Sequence, residues 1–187
     1  TQKHTEALVN NGIHGIVMLG TIGEGTSLTL SEKVEVLRAT VEVAGGKVPV
    51  LSGIAEFTTQ GACDTVKAAG EAGVDGIMLL PAMVYKSDAR ETIAHFRTVA
   101  NSTHLPIMCY NNPPVYRVDI TPEMFKELID VENIVVIKEA SGDVRRITEL
   151  FNALNDRFLI FAGLDDVALE SFMLGCTGWI SGLVDAF

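Results

Sequence analysis

Seven apolar runs recur along the chain at nearly even spacing, and this period restricts the fold more than any other feature. They cover residues 15–19, 48–52, 76–80, 106–110, 134–138, 159–162 and 178–181. Their ends lie about 19 to 33 residues apart, close to the length of one strand–helix–strand unit. Each run is continuously apolar rather than alternating, as expected of parallel strands covered on both faces.

Between the runs lie amphipathic segments with helix-start signals. Thr29 and Glu32 have capping-box spacing ahead of Val34, Leu37 and Val41. Thr121 and Pro122 open a helix expected to carry Phe125, Leu128 and Ile129. Asp143 is the expected cap for a helix with Ile147, Leu150, Phe151 and Leu154. Asp165 or Asp166 is the expected cap for one with Leu169, Phe172 and Met173, closed by Gly175. Ala62, Val66 and Ala69 mark another helix, as do Ile93 and Phe96, and residues 5–10 read as a helix ahead of the first run.

Parallel strands with helical crossovers form either an open doubly wound sheet or a closed barrel. The period shows no halfway change, which favours the (β/α)8 TIM barrel. Such a barrel typically takes eight strands and about 250 residues. Residues 1–187 therefore read as a single, incomplete α/β barrel domain, without a counterpart for the first strand or the final helix.

Composition narrows the partners. The 24 acidic and 14 basic residues give a net charge of −10, which argues against nucleic acid or an anionic membrane. No run of 18 apolar residues suggests a membrane span. Cys63, Cys109 and Cys176 sit among apolar or small residues and read as buried thiols of a reducing, cytoplasmic setting, with a disulfide as the alternative. His4, His14, His95 and His104 never stand in H-x-x-x-H or H-E-x-x-H spacing, so no metal site is expected.

In parallel α/β folds, chemistry collects at the C-terminal ends of strands. Lys138 ends the fifth run. Burial there would lower its ammonium pKa and let the free amine attack a carbonyl. The alternatives are a lysine snorkelling to solvent or paired with Glu139. Tyr110 ends the fourth run before Asn111-Asn112-Pro113-Pro114. Its phenol could relay a proton, or simply pack under the proline turn. Gly20-Thr21-Ile22-Gly23-Glu24-Gly25 follows the first run. Its amides and the Thr21 hydroxyl could cradle a carboxylate, and its glycine spacing fails the dinucleotide fingerprint. Asp165 and Asp166 could bind substrate hydroxyls or only cap a helix.

Gly-Thr-Ile-Gly-Glu, Tyr-Asn-Asn-Pro and Ile-Lys-Glu-Ala-Ser-Gly-Asp, each at a strand end and in this order, resemble the dihydrodipicolinate synthase / N-acetylneuraminate lyase family. The resemblance spans nearly the whole chain. It implies a class I aldolase-type barrel in which Lys138 forms an imine with a 2-keto acid, often pyruvate, and Tyr110 shuttles the proton. It implies further that Thr21 holds the carboxylate beside Ile22, that Gly163 and Ile180 line the pocket, and that no metal or organic cofactor is required. A cytoplasmic homotetramer acting on a small molecule, with no nucleic acid or membrane partner, is the corresponding expectation.

Departures from the family pattern bear on the substrate. Ile22 stands where the family usually has a second hydroxyl residue. Val115, not arginine, stands five residues after Tyr110, with Arg117 beyond it, and Ala82 and Met83 follow Pro81 where the synthases carry a tyrosine pair. Gly163-Leu164-Asp165-Asp166 resembles the neuraminate lyase side, whose later hydroxyl position falls on Gly182. The segment around Tyr85 and Tyr110 is similar to pyrroline-4-hydroxy-2-carboxylate deaminases and keto-deoxy sugar acid dehydratases. The expected reaction is thus dehydration, deamination or aldol-type cleavage of a 2-keto acid. The rivals are condensation of pyruvate with aspartate semialdehyde, an N-acetylneuraminate-type aldolase, and a non-catalytic keto-acid sensor.

Overall fold

Alternation along each strand divides the side chains between two interiors. The computed structural model describes residues 1–186. In it the strands β1 (Ile16–Met18), β2 (Val50–Ile54), β3 (Gly76–Leu79), β4 (Ile107–Asn111), β5 (Ile134–Glu139), β6 (Leu159–Ala162) and β7 (Gly178–Trp179) pair in sequential order, every pair parallel. All seven coincide with the apolar runs.

Residues of one parity, including Met78, Met108, Tyr110 and Val136, join Val17, Leu51, Phe161 and Ile180 in one inner cluster. Every strand or its end contributes to that cluster, so the sheet curls around it. Residues of the other parity, such as Ile77, Cys109, Ile137 and Ile160, face an outer layer of helices. These are α1 (Gln2–Asn10), α2 (Leu30–Ala44), α3 (Thr59–Glu71), α4 (Ala89–Asn101), α5 (Pro113–Tyr116), α6 (Pro122–Lys126), α7 (Arg145–Leu154) and α8 (Ala168–Met173). The capping box on α2 forms as its spacing predicts, and Asp88 with Glu91 forms a second on α4.

Several expectations are corrected. Neither Asp165 nor Asp166 caps α8, whose N-cap is Val167; the Asp165 carboxylate instead accepts the Gly182 amide at 3.1 Å. Asp143 accepts the Arg145 amide in a turn before α7, while Val144 takes the cap position. Helix α6 stops at Lys126, leaving Leu128 buried and Ile129 exposed in the following turn. Helix α8 turns its small residues Ala168 and Ser171 inward, so Leu169, Phe172 and Met173 face out.

The eight-stranded closure is not present among the described residues: β1 and β7 are not bonded to each other. A cavity of about 1020 Å³ opens between these two edges and the N-terminal ends of the strands, lined by Leu8, Val17, Leu51, Trp179 and Leu183 among others. At the opposite end the edges approach, because a side chain at Gly182 would meet Ile22 Cδ1 at 2.8 Å.

Candidate active site

Parity decides where Lys138 points. On β5 it follows Val136 on the inner face, while Ile137 and Glu139 face the helices. Its register partners are Tyr110 on β4 and Phe161 on β6. The side chain is only 7% exposed, and Nζ lies 3.8 Å from the centroid of the Tyr110 ring. Burial pulls the ammonium pKa down to about 8, and the Asp165 carboxylate opposes that fall. Both alternatives for this lysine are thereby overturned. It does not reach solvent, and Glu139 lies on the other face, accepting hydrogen bonds from Asn111 Nδ2 and the Ser141 amide.

Tyr110 is equally buried, and burial raises its phenol pKa. Its hydroxyl accepts a hydrogen bond from Asn112 Nδ2 at 3.0 Å. Asn112 also caps α5, with Oδ1 accepting the Val115 amide. Pro113 and Pro114 open this one-turn helix, which turns the chain back so that Tyr116 stacks edge-on against Tyr110, with ring centroids 5.5 Å apart. The Tyr116 hydroxyl shares a hydrogen bond with the Thr21 hydroxyl. A continuous line of contacts thus runs from Lys138 through Tyr110 and Tyr116 to Thr21.

The turn that carries Thr21 is bracketed by two residues in the left-handed region, Leu19 (φ 60°) and Glu24 (φ 52°). The first is accommodated because Gly25 lies against it; a Cβ there would sit 2.3 Å from the Leu19 carbonyl oxygen. Turn hydrogen bonds use the Glu24 and Gly25 amides. Among the described residues, no intrachain acceptor takes the Thr21, Ile22 or Gly23 amide. This is a turn with free donors, the arrangement suited to an anion.

The remaining expected positions divide. Asp165 is half-buried and lies near enough to act on the charge of both Lys138 and Tyr110. Ile180 packs on the inner cluster, and its amide bonds the Ala162 carbonyl. Gly163 fits where the ends of β5 and β6 pass closely; a Cβ would stand 2.8 Å from the Glu139 carbonyl oxygen. Ile22 is 71% exposed at the rim, where its Cδ1 occupies the space that a side chain at Gly182 would need. Asp166 is exposed and joins none of these contacts. The large cavity between β1 and β7 includes neither Lys138, Tyr110 nor Thr21. Among the described residues no group of three or more His, Cys, Asp or Glu side chains could hold a metal. The three cysteines are free thiols, with Cys109 and Cys176 buried.

Sequence reasoning missed Tyr116 and Asn112. The signal for both was an asparagine before two prolines, which predicts a capped helical turn carrying the next tyrosine.

The outer side of the same strand ends is fixed by a polar network that runs from the buried Asn111 and Glu139 to the surface. Asn111 donates to Glu139 and to Asp119, and accepts the Ile120 amide. Asp119 in turn pairs bidentately with Arg146 of α7 at 2.8 and 2.9 Å.

Comparison with known proteins agrees with this fold. The family model described as "Dihydrodipicolinate synthetase family" matches residues 1–186. The 4-hydroxy-tetrahydrodipicolinate synthase of Desulforamulus reducens is 38% identical over 181 residues, 96% of this chain and 61% of that protein. A dihydrodipicolinate synthase structure from Bacillus anthracis superposes with a TM-score of 0.94 at 36% identity, over 98% of this chain and 63% of that one. The chloride-inhibited dihydrodipicolinate synthase of Acinetobacter baumannii, solved with pyruvate, gives 0.93 at 32% identity, over 99% of this chain and 65% of that one. The chain therefore spans about three-fifths of the length of the relatives it matches.

Proposed function

The chain belongs to the dihydrodipicolinate synthetase family, and on that premise we propose that the protein is a Schiff-base-forming lyase acting on a 2-keto acid. The observation that carries this is the Lys138 amine, buried against the Tyr110 ring with its pKa near 8. In the fraction that is unprotonated, the Nζ lone pair forms a bond to the keto carbon while the carbonyl oxygen takes a proton. The carbinolamine C–O bond then breaks, and that oxygen leaves as water with a second proton. The remaining iminium draws electrons from the neighbouring C–H or C–C bond. Tyr110 is the group placed to carry these protons, its oxygen held by Asn112. Thr21 and the free amides around it hold the carboxylate, beside Ile22, while Gly163 and Ile180 shape the wall. Asp165 faces the reacting end with negative charge, which suits a hydroxyl-bearing substrate tail better than a second carboxylate.

The same proposal covers the rest of the protein. A further strand between β1 and β7 would close the sheet into a (β/α)8 barrel and fill the cavity there. Assembly as a homo-oligomer, a tetramer by the family resemblance, and a cytoplasmic location belong to it as well. The chemistry resides in the lysine and calls on no metal or organic cofactor.

Condensation of pyruvate with an aldehyde is the second reading, favoured by the names of the relatives and by the pyruvate in the Acinetobacter baumannii structure. Against it stands Val115, more than half exposed, where the synthases are expected to carry arginine.

The test is borohydride reduction in the presence of pyruvate, followed by peptide mapping. The pyruvate adduct is expected on Lys138 and is expected to vanish in Lys138→Ala. Labelling at another residue, or none, would overturn the assignment. Product analysis across a panel of 2-keto acids separates elimination, cleavage and condensation.

A further inference from the structure

Tyr116 lies outside the set of residues that the lysine chemistry needs, yet two of those residues touch it. Its ring edge packs on Tyr110, and its hydroxyl meets Thr21, a residue 95 positions away in the sequence. Helix α5 is built to hold it there. Asn112 caps the helix with one amide atom and binds the Tyr110 hydroxyl with the other. The segment that fixes Tyr110 therefore also delivers Tyr116 to the turn after β1.

Donor counting gives this contact a direction. A phenol and a threonine hydroxyl each carry one hydrogen and can each accept. A carboxylate accepts only, so when one occupies the turn Thr21 must donate to it. The hydrogen of the shared bond must then come from Tyr116. Thr21 is the one hydroxyl side chain in the turn of residues 20–25, and it is exposed. Without a partner it would rotate freely among staggered positions and solvent. A fixed donor behind it leaves its own O–H directed forward, and a chain of two such bonds strengthens both.

We propose that Tyr116 is a positioning residue that orients the Thr21 hydroxyl toward the substrate carboxylate. This rests on the Schiff-base reading. It adds that affinity for the 2-keto acid depends on a phenol that never touches the reacting carbon.

The experiment uses the intact protein and pyruvate, with the rate of borohydride labelling at Lys138 measured against pyruvate concentration. Tyr116→Phe keeps the ring packed on Tyr110 and removes only the oxygen, so the fold is preserved. Loss of one neutral hydrogen bond is expected to raise the half-saturating pyruvate by about three- to tenfold, with the saturating rate little changed. Thr21→Val is expected to raise it at least as much, and Thr21→Val with Tyr116→Phe no further than Thr21→Val alone, because both act through one contact. Thr21→Ser, which keeps the hydroxyl, is expected to restore most of the affinity. An unchanged half-saturation in Tyr116→Phe, or effects that add in the double variant, would overturn the proposal while leaving Lys138 in its role. Absence of labelling in the unaltered protein would overturn both.

Discussion

Lys138 and Tyr110 stand side by side on adjacent parallel strands, the lysine amine 3.8 Å from the centre of the tyrosine ring. A ring face attracts an ammonium, and the low-dielectric surroundings disfavour it. Burial outweighs the opposing Asp165 carboxylate, so the amine titrates near 8, where both forms are populated at physiological pH.

Reductive labelling by pyruvate should therefore rise with pH along a curve centred near 8. Asp165 holds the lysine pKa up, so Asp165→Asn should shift the midpoint to lower pH. An unmoved midpoint would show that the carboxylate does not act on this amine.

Burying the amine should also reduce stability. Its folded pKa of about 8 lies below the ordinary 10.5, so the penalty is absent above the ordinary value, grows as pH falls, and is complete below the folded value. Lys138→Met should raise the unfolding free energy at pH 7 by about 1–3 kcal/mol, and the gain should fade as the pH approaches 10.5. Denaturant melts at the two pH values test this.

Tyr110→Phe keeps the ring beneath the amine and removes the oxygen that Asn112 binds. Exchange of the pyruvate methyl protons with deuterium, followed by NMR, should slow by about 10²-fold or more. Labelling of Lys138 should persist. Equal loss of both would mean that the tyrosine shapes the pocket rather than moves the proton.

Asn111→Leu removes a fully buried amide and leaves Glu139 and the Ile120 amide short of partners. A loss of about 2–4 kcal/mol in denaturant unfolding is expected. Gly163→Ala should cost about 1–3 kcal/mol, because its methyl would press on the backbone of Glu139. A neutral alanine there would mean that the ends of β5 and β6 can part.

Legibility differed sharply between elements. The strands were readable because continuous apolar runs leave few alternatives, and the capping box at Thr29 was readable because its bonds span only three residues. The caps assigned to Asp165 and Asp166 failed for the opposite reason. Asp165 is drawn to the Gly182 amide, 17 positions away, and local spacing carries no record of that competitor. The outward face of α8 likewise depends on how the helix rotates against β6, which its apolar residues did not predict.

Sequence by itself determined the alternation of strands and helices, the placing of Lys138 and Tyr110 at strand ends, and the position of a donor-rich turn after β1. These follow from short-range periodicity and from the chemistry of single residues. Tertiary structure alone decided that the lysine lies dry against the phenol, that Asp165 acts on it, and that Tyr116 reaches Thr21. Each depends on the curl of the sheet and the paths of the loops, which bring together groups far apart along the chain.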